Sequence, residues 1–240
     1  MPKIKKKGSA SKKQPEPEIW TIAHKVSTFV ADNRKTVTII ISTLAAVLIL
    51  AAGYAFMRYL QEQKAGGLVA SAYEFYAPTK GTNPDYAKAL DLFREVQNKY
   101  SSTMSGAIAQ YYVGNCLVNL GRTDEALKEY EAFVKKYSGD KFLLGLVYQR
   151  LGYAYEAVGR RDDAVKAFEQ SETLIGPGVS TVELARLYET AGNIAEAQKK
   201  YKVIAEKLSG TTWAMEAMGK VQKIEPVPMP EQKKKEKQEK

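Results

Sequence analysis

Thr123-Asp-Glu-Ala-Leu-Lys-Glu-Tyr130 and Arg161-Asp-Asp-Ala-Val-Lys-Ala-Phe168 decide the fold, because they are one pattern written twice. It recurs on both sides, as Tyr86-Ala-Lys-Ala-Leu-Asp-Leu-Phe93 and Ile194-Ala-Glu-Ala-Gln-Lys-Lys-Tyr201. Each copy places an alanine four residues before an aromatic: Ala89 and Phe93, Ala126 and Tyr130, Ala164 and Phe168, Ala197 and Tyr201. Residues four apart share one helix face. The small residue lets a neighbouring helix approach, and the ring fills the gap beside it. Twelve residues before the alanine stand Gly114 and Gly152 in the second and third copies, Ala185 in the fourth and Ala77 in the first. Gly121, Gly159 and Gly192 precede the later copies, where a left-handed helix cap favours glycine.

The alanines are spaced by 37, 38 and 33 residues, the length of a helix pair with its turns. One such hairpin cannot bury its apolar face, whereas stacked hairpins form a continuous core. The fold class is therefore all-α: four helix pairs between about residues 62 and 209, joined by loops at Pro78–Pro84 and Gly176–Gly178. Thr211–Ile224 reads as a last helix covering the open end of the stack. Residues 225–240, rich in Pro, Lys and Glu, read as a disordered charged tail.

Upstream of the repeats, Thr36–Met57 runs 22 residues without a charge. As a helix it would be about 33 Å long, enough for a hydrocarbon core of about 30 Å. Its ten Val, Ile, Leu and Phe residues favour insertion by about 3–6 kcal/mol. Thr36, Thr38, Ser42 and Thr43 can return their hydroxyls to the helix's own carbonyls. A transmembrane helix over 36–58 follows, as an uncleaved anchor. Before it, Ile19, Ile22, Ala23, Val26, Phe29 and Val30 recur at helical spacing. They predict a short amphipathic helix at the inner membrane face, with Trp20 at headgroup depth.

The net charge of +9 is not spread evenly. Residues 1–35 carry nine Lys/Arg against three Asp/Glu, whereas residues 59–222 carry twenty of each. A nucleic-acid-binding domain would gather its basic residues on the folded body, so no nucleic-acid partner is expected. The same asymmetry places the basic tail in the cytoplasm and the body across the membrane. Four regions follow: a basic cytoplasmic tail over 1–35, the span over 36–58, a repeat domain over 59–224 and a charged tail over 225–240.

Motifs for catalysis are missing. The sequence has no GxxxxGK[ST], HExxH, GxSxG or CxxC, and holds one His and one Cys. Cys116 lies inside a repeat helix and reads as a small buried residue. Asp124-Glu125 and Asp162-Asp163 open helices, where carboxylates stabilise the N-terminal dipole. The expectation is a protein that is not an enzyme, with no cofactor, metal or small-molecule substrate.

Val113-Gly114…Leu117…Ala126…Tyr130 and Leu151-Gly152…Tyr155…Ala164…Phe168 resemble the tetratricopeptide repeat family. That family's helix-stopping proline near each repeat end is replaced here by Ser101, Ser138 and Gly176. The resemblance implies an α-solenoid whose first helices line a groove for peptides or partner segments. Carried over by register, the groove residues are Tyr111, Asn115, Asn119, Gln149, Tyr153, Glu156, Arg186 and Glu189. Members that clamp a terminal carboxylate set several Lys/Arg around an Asn; Asn115 matches, but Tyr111 replaces the basic neighbour.

The whole layout resembles the YfgM-like ancillary subunits of the SecYEG translocon. That resemblance implies a bacterial inner-membrane scaffold or chaperone-like adaptor with its repeat domain in the periplasm. Its partners would be translocon subunits, periplasmic chaperones or envelope clients. The alternative is a structural assembly factor for the outer envelope or the cell-division machinery, whose helix ends Phe93…Lys99-Tyr100-Ser101 and Phe133…Lys136-Tyr137-Ser138 resemble.

Overall fold

A computed structural model describes residues 18–79, 81–137 and 139–224. Among them are ten α-helices: α1 Glu18–Asp32, α2 Arg34–Tyr76, α3 Tyr86–Lys99, α4 Met104–Asn119, α5 Thr123–Lys136, α6 Lys141–Ala157, α7 Arg161–Ile175, α8 Val179–Thr190, α9 Ile194–Lys207 and α10 Thr212–Ile224. The chain divides into two units, Met1–Arg58 and Tyr59–Lys240, and the division falls inside α2. The expected disordered tail over 225–240, the side chain of Trp20 and Ser138 lie outside the described residues.

In the first unit the apolar stretch is one uninterrupted helix. Its side chains have no protein to pack against: Ile39, Ile40, Ile41, Leu44, Val47, Leu48, Ile49 and Leu50 are each at least 53% exposed. The hydroxyls of Thr38 and Thr43 donate to the carbonyls of Arg34 and Ile39, both at 2.8 Å, so these two polar groups are satisfied within the helix. In α1, Ile22, Val26, Phe29 and Val30 are likewise exposed and fall on one face.

The second unit is a stack of helix pairs in which each helix from α3 onward packs mainly on its neighbour in the chain, and α4 also meets α6. The alanine–aromatic pairs form its core. Ala89, Ala126, Ala164 and Ala197 are buried, as are Phe93, Tyr130, Phe168 and Tyr201. The upstream glycines make room for these rings: a Cβ on Gly114 would lie 2.2 Å from Cε1 of Tyr130, and one on Gly152 2.7 Å from Cε1 of Phe168. In the fourth pair Ala185, also buried, takes that place.

The first pair departs from the sequence reading. Ala77 lies beyond the end of α2, and the buried small residue one turn inside that end is Ala72. The cause is the connection between α2 and α3, which spans residues 77–85 where the later pairs use three-residue turns. The longer loop breaks the twelve-residue spacing. Tyr76 then reaches the core, with its ring edge-on to Phe93 at 6.5 Å and to Tyr112 at 5.0 Å.

The three-residue turns close alike. Gly121, Gly159 and Gly192 have φ of 75°, 79° and 76°. Beyond them the amides of Arg122, Arg160 and Asn193 donate back to the carbonyls of Leu117, Tyr155 and Tyr188 at 2.8–2.9 Å. This pairing satisfies carbonyls left over at a helix end. The start of α4 is held from outside its own pair. The Glu62 carboxylate accepts from the amides of Met104 and Ser105, at 2.8 and 2.9 Å, and from the Ser105 hydroxyl at 2.5 Å.

Candidate protein-binding groove

The groove residues fall on first helices, each set along one face: Tyr111, Asn115 and Asn119 on α4, Gln149, Tyr153 and Glu156 on α6, and Arg186 and Glu189 on α8. The structure ties most of them to one another or to the next helix.

Asn115 is only 4% exposed. Its Oδ1 accepts from the Tyr130 hydroxyl at 2.6 Å, and its backbone carbonyl accepts from Nδ2 of Asn119 at 2.8 Å. Burial pushes the Tyr130 hydroxyl well above the ordinary tyrosine range, so it stays a donor to Asn115 at neutral pH. Asn115 is thus a floor residue, not a surface contact. Tyr111 stands beside it on α4, and its hydroxyl accepts from Nε of Arg150 at 3.3 Å.

Between α6 and α8 lies a charged network. Arg186 donates to Glu156 at 2.6 Å and to Glu183 at 2.7 Å, and the Tyr153 hydroxyl donates to Glu183 at 2.9 Å. The Tyr153 ring meets Phe168 edge-on at 5.1 Å. Further along, Glu189 accepts from Lys220 at 2.6 Å and from the Tyr201 hydroxyl at 2.6 Å, joining α8 to α9 and α10. These bonds, the Lys220 one first, hold the Glu189 carboxyl below the usual carboxylate range.

Two cavities open among these residues. One, of about 160 Å³, is bounded by Tyr76, Asn115, Asn119, Arg150 and Tyr153. The other, of about 330 Å³, is bounded by Arg186, Glu189, Tyr201, Trp213 and Lys220. Tyr111, Gln149 and Glu156 line neither. Tyr76, Arg150, Glu183, Trp213 and Lys220 join the site without having been read from the sequence. Lys220 and Trp213 sit on α10, outside the repeat pattern, and Arg150 lies one residue off the aligned positions of α6, so register alone did not reach them.

Cys116, fully buried beside this face, has its thiol pushed up to about 12 by burial, which keeps it protonated and inert as a nucleophile. Asp124 with Glu125, and Asp162 with Asp163, occupy the first turns of α5 and α7. Among the described residues there is no cluster of three metal-ligating side chains.

Sequence profiles of the tetratricopeptide repeat match residues 108–140 and 146–175, which are the α4–α5 and α6–α7 pairs. No curated protein matches the chain at a significant level. Among solved structures, a candidate kinesin light chain with nearly identical TPR-like repeats from Podosopora anserina superposes with TM-score 0.52 at 18% identity, over 68% of this chain and 85% of that one. A tetratricopeptide repeat protein from Parabacteroides merdae gives 0.55 at 16% identity, over 68% of this chain and 60% of that one. At such identities the likeness is one of fold. The two profiled segments, at the centre of the stacked pairs, are tetratricopeptide repeats, the helical unit from which protein-binding scaffolds are built.

Proposed function

We propose that this protein is a membrane-anchored scaffold, its repeat domain outside the cytosol and its groove offered to envelope proteins near the Sec translocon, as in the YfgM-like subunits. Residues 1–35 form the cytoplasmic tail, 36–58 the anchor, 59–224 the binding domain and 225–240 a charged tail. The observation that carries the reading is the unburied apolar helix directly ahead of the repeats. Exposed in water, about six consecutive turns of such side chains would drive aggregation, and a bilayer removes that penalty. The lysines before the span and their scarcity just after it support the orientation. The groove supports protein partners: it carries Tyr, Asn, Gln and Arg side chains suited to adaptable contacts and no catalytic pair among the described residues.

A photo-crosslinking residue at Tyr111 or Tyr153, introduced in intact cells, tests the reading. Adducts with translocon subunits or envelope proteins in transit are the expected outcome. Adducts with cytosolic proteins alone overturn it. A reporter fused after Lys240 checks orientation independently, and deleting Thr36–Met57 should release a soluble, folded domain.

A further inference from the structure

We infer that the repeat domain has a lipid-facing edge at the end where the anchor enters it, on which Met104, Phe142, Lys135, Lys136 and Lys141 rest against anionic phospholipid headgroups. The inference rests on the anchor reading above and adds a second contact with the same bilayer. Chain length sets the position. The proposed span ends at Arg58, and Glu62 follows four residues later. Four residues reach at most about 14 Å, whatever angle the two units take. Glu62 is fixed within the second unit, because its carboxylate accepts from the amides of Met104 and Ser105. The start of α4 is therefore tethered within reach of the headgroup layer, which adds about 5–7 Å outside each face of the hydrocarbon core.

The start of α6 lies beside the start of α4. The Tyr137 hydroxyl donates to Sδ of Met104 at 3.2 Å and accepts from the Asp140 amide at 3.0 Å, and Asp140 caps α6. Phe142, two residues further, is 63% exposed and Met104 41%. These two apolar side chains flank a tyrosine, whose apolar body and polar tip suit a membrane–water boundary.

Charge selects the lipid. Lys135 and Lys136 close α5 and Lys141 opens α6; all three are exposed, and none has an ion pair among the described residues. The carboxylates beside them are engaged: Glu62 and Asp140 accept from amides at helix starts, and Glu95 holds Lys99 at 2.8 Å. At the opposite end of α5 and α7, Asp124, Glu125, Asp162 and Asp163 outnumber Arg122, Arg160 and Arg161. The repeat domain, neutral in total, is thus positive at the end its anchor enters. Lysines in a last helical turn also suit the helix dipole, but Lys141 stands in a first turn, where the dipole disfavours it. Each lysine near an anionic surface strengthens its attachment by about fivefold.

The test places the full chain in nanodiscs that carry a gadolinium-chelating lipid and reads amide relaxation by NMR at Phe142 and, at the other end of the stack, at Gly159. In phosphatidylglycerol discs, relaxation at Phe142 should exceed its value in phosphatidylcholine discs by at least about fivefold, with Gly159 unchanged. Lys135→Gln combined with Lys136→Gln and Lys141→Gln should bring Phe142 down to its phosphatidylcholine value. Lys128→Gln combined with Arg161→Gln and Lys166→Gln, the same loss of charge on the first halves of α5 and α7, should not. Equal relaxation in the two lipids, or an anionic effect that survives loss of the edge lysines, overturns the inference. So does an effect at Phe142 that needs two chains per disc, which makes a second copy the occupant. If the chain stays with the discs but Phe142 is indifferent to lipid charge, the anchor reading stands and the lipid-facing edge falls; if the chain does not associate with discs at all, both fall.

Discussion

Replacing Gly114 by alanine tests the packing rule that builds this stack. In an exposed helix the change would stabilise by about 0.5–1 kcal/mol, because alanine loses less backbone entropy. In α4 the new methyl would sit 2.2, 2.6 and 2.8 Å from Cε1, Cζ and Cδ1 of Tyr130. Carbon atoms settle at about 3.5–4.0 Å, so the ring must move by more than an ångström. It has nowhere to go: Tyr130 is 1% exposed and its hydroxyl is held by Asn115 at 2.6 Å. Overpacking costs about 1–3 kcal/mol, and stranding Asn115 adds about 1–3 kcal/mol. After the helix-propensity gain, the net loss is about 1–5 kcal/mol. For a domain of this size each kcal/mol lowers the melting midpoint by about 2–4 °C. Gly67, inside α2 with nothing within 4 Å of its would-be Cβ, is the control; there the same substitution should raise the midpoint slightly. Thermal melts followed by circular dichroism on both variants decide the matter. A Gly114→Ala protein as stable as wild type would refute the claim that glycine is present to admit the ring.

Other perturbations follow from the same contacts. Tyr130→Phe keeps the ring but removes the hydroxyl from Asn115, and denaturant titration should register a loss of about 1–2 kcal/mol. Glu62→Ala leaves the Thr103 cap of α4 in place but removes the acceptor of the Met104 and Ser105 amides, and should cost about 1–2 kcal/mol, with faster amide exchange at Met104 and Ser105 as the local signature. Glu189 has a depressed folded-state pKa, so its contribution is present above the unfolded value of about 4.3 and lost as pH falls through the folded value. Hydrogen exchange should therefore show α10 loosening in acid, and Glu189→Gln should loosen it already at neutral pH. An α10 equally protected in both conditions would remove Lys220–Glu189 as its tether.

Sequence reading reached the second to fourth pairs because their information is local. Gly114, Tyr130 and the turn at Gly121 lie within seventeen residues, and one helix hairpin brings them together. The first pair was misread at Ala77 for the opposite reason. A loop of uncertain length separates its helices, and spacing cannot count across it. The site divides in the same way. Which face of α4 or α6 looks inward follows from helix periodicity, so Tyr111 and Tyr153 could be named. That Asn115 would be spent on Tyr130, or that Arg150 would meet Tyr111, depends on where other helices end up. No periodicity within one helix carries that. Lys220 lies on α10, which repeats nothing, so no register could assign it to Glu189.

Contact confined largely to chain neighbours has a mechanical consequence. Under load or heat the body should fray from its carboxyl end, one hairpin after another, instead of collapsing in a single event. The end that frays first carries the Trp213 cavity, whereas the Arg150 hollow lies two pairs inward and is ringed by four helices. A partner that tugs on this protein could peel the last coil away and still find the inner pocket intact.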